Sequence, residues 1–153
     1  MKVKEIMRKK VVTVSPEDSI VKVLRILSKK RISGVPVVKG KRVVGIITEG
    51  DIIAKLDIHT PKIHFATSPD FILIVAGLKS RRSMEEIKED MQVMKKFKVK
   101  DFMTKEVFTV GPEDPITEVA RIMCEKGVKR VPVVKNGKLV GIVSRQDIIK
   151  GLL

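Results

Sequence analysis

The chain has 153 residues, of which 43% are hydrophobic and 33% charged, a balance typical of a folded globular protein and not of a disordered chain. Its single cysteine excludes an internal disulfide, and five Phe without Trp or Tyr leave few aromatic platforms for nucleobases. The formal net charge is +14, and residues 1–56 carry most of it, with 14 basic against 5 acidic side chains. This basic third of the chain fits either a polyanion-binding surface or a solvated Lys-rich surface.

Targeting signals are not visible in the sequence. The longest apolar run, Phe71–Leu78, falls short of the roughly 18–20 residues that span a bilayer. The N-terminus, MKVKEIMRKK, lacks the apolar core of a signal peptide. Together with the single cysteine, these features predict a cytoplasmic protein that does not associate with a membrane.

A tandem repeat organises the chain. At a shift of 96 residues, Lys2–Leu56 aligns with Lys98–Leu152 without a gap, and 28 of the 55 aligned pairs are identical. We therefore expect a first repeat over 1–56, an inter-repeat segment over 57–97 and a second repeat over 98–153. Two such copies predict two similar units related by a pseudo-two-fold axis.

Each repeat begins with a predicted strand and helix. The β-branched run Val11–Val14 predicts a short strand, and SPED or GPED predicts the turn after it. Asp18 and Asp114 are predicted helix N-caps, which puts Pro115 at the first helical position. Apolar residues at helical spacing follow each cap.

The second half of each repeat is a predicted hairpin and a closing helix. GVPVV and RVPVV predict strands, and a basic turn joins each to a second apolar strand. The last helix is predicted to start at Thr48 or Ser144. The fold class is thus α/β of the α+β type, built from two β-α-β-β-α repeats.

The inter-repeat segment predicts one helix near 83–96. Ser83 opens it with a capping box, and the Met residues on one face predict packing, including packing of a dimer. Asp57, His59 and His64 do not match a strong metal-ligand spacing. We therefore predict no metal site.

The motif that ends each repeat can carry chemistry. Thr48 or Ser144 followed three residues later by Asp51 or Asp147 closely resembles a capping box. The same residues suit an adenosine nucleotide, because a helix N-terminus and a hydroxyl favour phosphate while a carboxylate accepts hydrogen bonds from the two ribose hydroxyls. Capping and binding are compatible, since one carboxylate has two oxygens.

The repeated T-V-x-P-E-D, V-P-V-V and G-h-h-[ST]-x-x-D motifs (h is apolar) resemble a tandem pair of CBS domains, the Bateman module named from cystathionine β-synthase. The resemblance covers about 110 residues and implies clefts that bind AMP, ADP, ATP or S-adenosylmethionine, no catalytic cofactor, and assembly into dimers. It assigns the ribose to Asp51 and Asp147 and the phosphate to Thr48 and Ser144. The remaining implied site residues are the apolar walls and the first-turn carboxylates, namely Val14, Asp18, Val35, Pro36, Ile46, Val110, Asp114, Val131, Pro132 and Ile142.

The two predicted sites differ in charge. Lys129 and Arg130 precede VPVV in the second repeat, where the first has Ser33 and Gly34. We therefore expect the second site to prefer phosphorylated ligands, although the two cations also fit a solvated strand edge. Arg145 fits either the phosphate site or a solvent-facing position, and its counterpart Glu49 disfavours an anion.

These observations predict a non-catalytic module that senses an adenosine ligand and regulates a partner protein in trans. The alternatives are an S-adenosylmethionine-binding regulator and a basic nucleic-acid or polyanion binder. An enzyme is disfavoured, because no nucleophile–base pair or metal constellation is visible in the sequence.

Overall fold

The computed structural model describes residues 1–55, 92 and 95–153. Its elements are α1 (Val3–Ile6), α2 (Ile20–Lys30), β1 (Gly34–Lys39), β2 (Arg42–Thr48), α3 (Glu49–Lys55), a 3-10 turn (Val99–Asp101), α4 (Ile116–Lys126), β3 (Arg130–Lys135), β4 (Lys138–Ser144) and α5 (Arg145–Gly151). Strand β1 pairs with β2 and β3 with β4, so the predicted mixture of helices and hairpins is confirmed. The predicted helix near 83–96, its Met face and Asp57, His59 and His64 lie outside the described residues.

The chain divides into two compact units that combine segments distant in sequence. The second-repeat unit contains Met1–Thr13, Val38–Gly45 and Lys105–Leu153. The first-repeat unit contains the described residues of Val14–Val37 and Ile46–Thr104. The segment that leads each repeat therefore belongs to the unit built on the other repeat. We call Lys2–Arg8 and Lys98–Thr104 the leading segments.

Equivalent backbone hydrogen bonds hold both leading segments. The amides of Val3 and Lys4 donate to the carbonyls of Asp114 and Pro112, each at 2.9 Å. In the other unit the equivalent amides, of Val99 and Lys100, donate to the equivalent carbonyls, of Asp18 at 2.9 Å and Pro16 at 3.0 Å. Ion pairs repeat as well, Lys4 with Glu113 at 2.8 Å and Lys100 with Glu17 at 3.0 Å.

The strand predicted over Val11–Val14 is wrong, since only its last residue pairs. Val14 forms an isolated parallel bridge with Val37, as Val110 does with Val133. In a parallel ladder the preceding bond would need the amide of Pro36 or Pro132, and proline has no N–H to donate. The V-P-V-V motif thus limits the ladder to one residue.

The predicted N-caps are wrong by one residue. Ser19 caps α2, accepting a hydrogen bond from the amide of Val21 at 3.2 Å, and Pro115 occupies the N-cap position of α4 rather than its first turn. The carboxylates of Asp18 and Asp114 turn back instead and accept from the amides three residues before them, at 2.8 and 2.7 Å. They close the S-P-E-D and G-P-E-D turns, as Asp commonly does.

The β3–β4 hairpin separates a core face from a second face. Its turn residues, Asn136 and Gly137, both have positive φ, which matches the twist of a two-residue hairpin turn. Val131 pairs with Val143, and both are fully buried in the core with Val133. On the opposite face, Pro132 pairs with Ile142 and Arg130 with Ser144. No helix in the described ranges is long and apolar enough to cross a membrane.

Candidate functional site

The Ser144 and Asp147 side chains form the capping box that the motif predicts. Asp147 Oδ2 accepts from the amide of Ser144 at 2.8 Å and from its hydroxyl at 2.7 Å, and the amide of Asp147 donates back to Ser144 Oγ at 3.3 Å. The box fixes where α5 begins. The capping box uses Oδ2 of Asp147 and leaves Oδ1 for another partner.

The first repeat builds the same arrangement. Asp51 Oδ2 accepts from the amide and the hydroxyl of Thr48, at 2.8 and 3.0 Å. The amide of Asp51 donates to Thr48 Oγ1 at 3.2 Å. Capping therefore accounts for the hydroxyl and for one carboxylate oxygen in each repeat.

The second oxygen of each Asp contacts a leading segment. Arg8 Nε donates to Asp147 Oδ1 at 2.8 Å, and Thr104 Oγ1 donates to Asp51 Oδ1 at 2.8 Å. Positions 8 and 104 are equivalent in the repeat alignment. The sequence analysis missed both residues, because nothing local signals a partner that lies 139 residues away from Arg8.

Backbone pairing sets the positions of Arg8 and Thr104. Arg8 and Ile142 exchange two backbone hydrogen bonds, at 2.9 and 3.1 Å, and Thr104 and Ile46 exchange two at 2.9 and 2.8 Å. Each leading segment thus adds one antiparallel residue pair beside the hairpin, next to a residue predicted as an apolar wall.

Asp147 is a buried carboxylate that stays ionised. Its side chain is 7% exposed, and burial alone would raise its pKa. The hydrogen bonds from the Ser144 hydroxyl and amide and the bond to the Arg8 guanidinium, with its charge, outweigh burial and hold the pKa of Asp147 below its usual value. A negatively charged acceptor is therefore available at neutral pH.

The predicted apolar walls divide between the two faces of the hairpins. Val14, Val35, Val110 and Val131 are at most 5% exposed and belong to the core, so only their backbone atoms remain for a ligand. Ile46 and Ile142 are half-buried beside the Asp-bearing helices, whereas Pro36 and Pro132 are buried. Asp18 and Asp114, both half-buried, carry the turns that receive the leading segments.

Four basic residues lie close to the Ser144–Asp147 pair, one through a side-chain bond and three through the positions of their backbones. Arg130 lies opposite Ser144 in the hairpin, Arg145 follows Ser144, and the carbonyl of Lys129 accepts from the amide of Arg145 at 3.2 Å. Arg8 is the fourth. In the first-repeat unit the equivalent positions hold Thr104, Ser33, Gly34 and Glu49, where the amide of Glu49 donates to Ser33 at 2.9 Å. The backbone frame is the same and the charge is opposite.

The amides at the start of α5 are partly used. Those of Arg145 and Asp147 already donate to Lys129 and Ser144, and the helix has only seven residues. A phosphate at this site would therefore depend on side-chain cations more than on the helix terminus that the motif suggested.

Gly141 faces the leading segment and not an open cleft. A Cβ at this position would lie 2.6 Å from Met7 Sδ and 3.2 Å from the carbonyl oxygen of Arg8. Met7 therefore covers Gly141, and no base can stack against this part of the strand. Among the described residues, no group of three or more His, Cys, Asp or Glu side chains is placed to hold a metal ion.

Comparisons with known proteins agree on one family. The CBS domain family model matches residues 3–58 and 99–153. The uncharacterized protein MJ1426 of Methanocaldococcus jannaschii is 37% identical over 155 residues, which cover 100% of this chain and 92% of the relative. The chain spans only 21% to 60% of the next three curated relatives that it matches.

Two solved structures are similar over nearly the whole chain. The CBS domain of a CBS-domain-containing membrane protein from Sphaerobacter thermophilus is 31% identical with a TM-score of 0.71, covering 100% of this chain and 88% of that one. The CBS domain pair of protein MJ0100, in complex with 5′-methylthioadenosine and S-adenosyl-L-methionine, is 27% identical with a TM-score of 0.69. That match covers 99% of this chain and 95% of the other.

Proposed function

Because the chain belongs to the CBS-domain family, carrying the domain twice, we propose that it is a non-catalytic regulatory module that binds adenosine-containing ligands at two unequal sites. The second-repeat site, around Asp147, binds AMP, ADP or ATP. The first-repeat site, around Asp51, is weaker or takes a less charged ligand such as S-adenosylmethionine.

The observation that carries this proposal is the pair of Asp residues with matched surroundings and different charge. Each Asp is fixed by its capping hydroxyl through Oδ2 and presents Oδ1 beside a half-buried Ile on the second hairpin face. An ionised carboxylate held in this way suits a ribose diol. The second-repeat site adds Arg8, Lys129, Arg130 and Arg145, which suit phosphate.

Support for an adenosine ligand also comes from the MJ0100 CBS pair, whose structure holds 5′-methylthioadenosine and S-adenosyl-L-methionine. Both compounds share the adenosine moiety with AMP, and neither carries a phosphate. The choice of a phosphorylated ligand for the second-repeat site therefore rests on this chain's own cations.

The test is calorimetric titration of AMP, ATP and S-adenosylmethionine into the wild type, Asp51→Ala and Asp147→Ala. We expect Asp147→Ala to weaken AMP binding by about tenfold or more, which is the loss of one or two charge-assisted hydrogen bonds. Asp51→Ala is the matched control and should leave this binding event in place. Undiminished AMP affinity in Asp147→Ala would refute the site assignment.

A salt series on the same samples separates this function from polyanion binding. Neutralising many phosphates makes affinity fall steeply and linearly with the logarithm of salt concentration. A single nucleotide that meets a few cations gives a much smaller slope. Binding of an oligonucleotide in place of AMP, with a steep slope, would favour the polyanion interpretation.

A regulatory module needs a partner protein that responds to ligand binding. We propose that the chain acts as a homodimer in the cytoplasm and regulates a partner protein in trans, through the different affinities of two packing states for the ligand. Native mass spectrometry of the titrated samples gives the ligand stoichiometry and the oligomeric state together.

A further inference from the structure

The bond between Arg8 and Asp147 occupies the acceptor that a ribose would need. Asp147 Oδ2 already accepts two hydrogen bonds from Ser144, so its two lone pairs are used. Oδ1 accepts from Arg8 Nε at 2.8 Å and has one lone pair left. A 2′,3′-diol that donates twice can be accommodated only if Arg8 gives up this bond.

Arg8 can release Asp147 without moving its backbone. Its amide and carbonyl are both bound to Ile142, and its side chain is 49% exposed, so its terminal atoms have room to turn. A guanidinium that leaves Asp147 remains near the Ser144–Asp147 pair, because the backbone of Arg8 stays bound to Ile142. A ligand phosphate that binds there can accept its hydrogen bonds.

From this geometry, and resting on the function proposed above, we propose that Arg8 makes the second-repeat site select phosphorylated adenosine ligands by exchanging its bond to Asp147 for a bond to the ligand phosphate. A phosphorylated ligand replaces the bond that Arg8 loses, and guanidinium groups bind phosphate well. Adenosine without a phosphate must break the same bond and offers nothing in return. The leading segment of the first repeat thereby sets the specificity of the second repeat.

The first-repeat unit provides the matched comparison. Thr104 occupies the position equivalent to Arg8, with the same two backbone bonds to its neighbouring Ile. Its hydroxyl donates to Asp51, but Thr carries no charge and cannot form an ion pair with a phosphate. Release of Thr104 costs less and gives no preference for a phosphorylated ligand.

The experiment compares AMP with adenosine in a background that isolates one site. In Asp51→Ala, where only the second-repeat site remains, the preference for AMP over adenosine is measured by calorimetry with Arg8 and with Arg8→Thr. We expect Arg8→Thr to reduce the preference by about tenfold or more, with AMP weakened and adenosine binding no worse. The converse variant, Thr104→Arg in Asp147→Ala, should raise the preference for AMP at the first-repeat site.

A direct readout follows the guanidinium itself. The ¹⁵N–¹H resonance of Arg8 Nε, assigned by its loss in Arg8→Lys, should shift on addition of AMP as the donor leaves Asp147. If Asp147→Ala abolishes AMP binding but Arg8→Thr leaves the AMP preference unchanged, this inference is wrong while the proposed function stands. If the wild type binds none of AMP, ATP, adenosine and S-adenosylmethionine, the proposed function fails and this inference fails with it.

Discussion

The two sites of this chain share a backbone frame and differ in their charge. In both, a short helix is capped by a hydroxyl–Asp pair, a leading segment pairs with one Ile beside it, and the remaining Asp oxygen accepts a bond from that segment. The differences lie at four positions, where Arg8, Lys129, Arg130 and Arg145 replace Thr104, Ser33, Gly34 and Glu49. Two copies of one fold thus carry different charges on the same hydrogen-bond framework.

The two Asp residues also differ in burial and in the charge of their partners. Asp147 is buried and paired with a cation, whereas Asp51 is half-buried and accepts only neutral donors among the bonds observed. Buried charges are sensitive to the loss of a partner, because the group left behind keeps its desolvation cost. Equivalent substitutions should therefore have unequal effects in the two units.

The largest expected difference is in stability after removal of each Asp. We expect Asp147→Ala to lower the free energy of unfolding by about 2 kcal/mol, since it removes a helix cap and also the ion pair with the half-exposed Arg8. Asp51→Ala should cost about 1 kcal/mol, the typical value of a lost cap. Urea denaturation at neutral pH measures both free energies of unfolding. Equal m-values for the variants and the wild type show that the same two states are compared.

A double variant tests whether Arg8 causes the difference. Combining Asp147→Ala with Arg8→Thr should cost less than the sum of the two single variants, because both remove the same bond. Equal costs for the two Asp variants, or strictly additive costs in the double variant, would contradict a larger electrostatic contribution from the Arg8–Asp147 pair.

The close approach of the leading segment predicts a second, smaller difference. Gly141→Ala places a Cβ 2.6 Å from Met7 Sδ and 3.2 Å from the Arg8 carbonyl oxygen, so the segment that carries Arg8 must shift. We expect a loss of about 1–2 kcal/mol, as in other overpacked sites. Thermal or urea unfolding is the measurement.

Gly50→Ala is the control for this substitution in the first-repeat unit. The nearest atom to its added Cβ is Thr48 Oγ1 at 3.5 Å, an ordinary contact, and Ala is a better helix former than Gly. We expect Gly50→Ala to be neutral or stabilising. A Gly141→Ala protein as stable as the wild type would show that the leading segment is not tightly packed there.

The repeat made the hairpins, the closing helices and both capping boxes predictable from sequence, because each depends on residues within a few positions of one another. Two local predictions were wrong, the strand over Val11–Val14 and the helix N-cap at Asp18. The ladder at Val14 stops because Pro36 has no amide hydrogen, and Ser19 caps α2 in place of Asp18.

The roles of Arg8 and Thr104 could not be predicted from sequence for a different reason. Each leading segment belongs to the unit of the other repeat, so Arg8 meets Asp147 only through the tertiary fold. The alignment shows that positions 8 and 104 differ, but periodicity and spacing do not say what these side chains contact.

The smallest expected effect is a pH dependence that follows from the ion pair of Asp147. The pKa of Asp147 in the folded protein lies below its usual value. The ionised carboxylate therefore contributes its full stabilisation above the pKa of an Asp in the unfolded chain, about 3.9. That contribution is lost as pH falls through the lower, folded pKa, because protonation in the folded state removes the charge that Ser144 and Arg8 stabilise. The stability difference between the wild type and Asp147→Asn should therefore shrink from pH 7 to pH 3, as measured by urea denaturation at each pH.

Asp18 provides the comparison in the first-repeat unit, since bonds from Ser15 and Lys22 outweigh its burial and lower its pKa in the same direction. Asp18→Asn should show the same trend, and a difference for Asp147→Asn that grows on acidification would mean that Arg8 does not hold this carboxylate in its charged form.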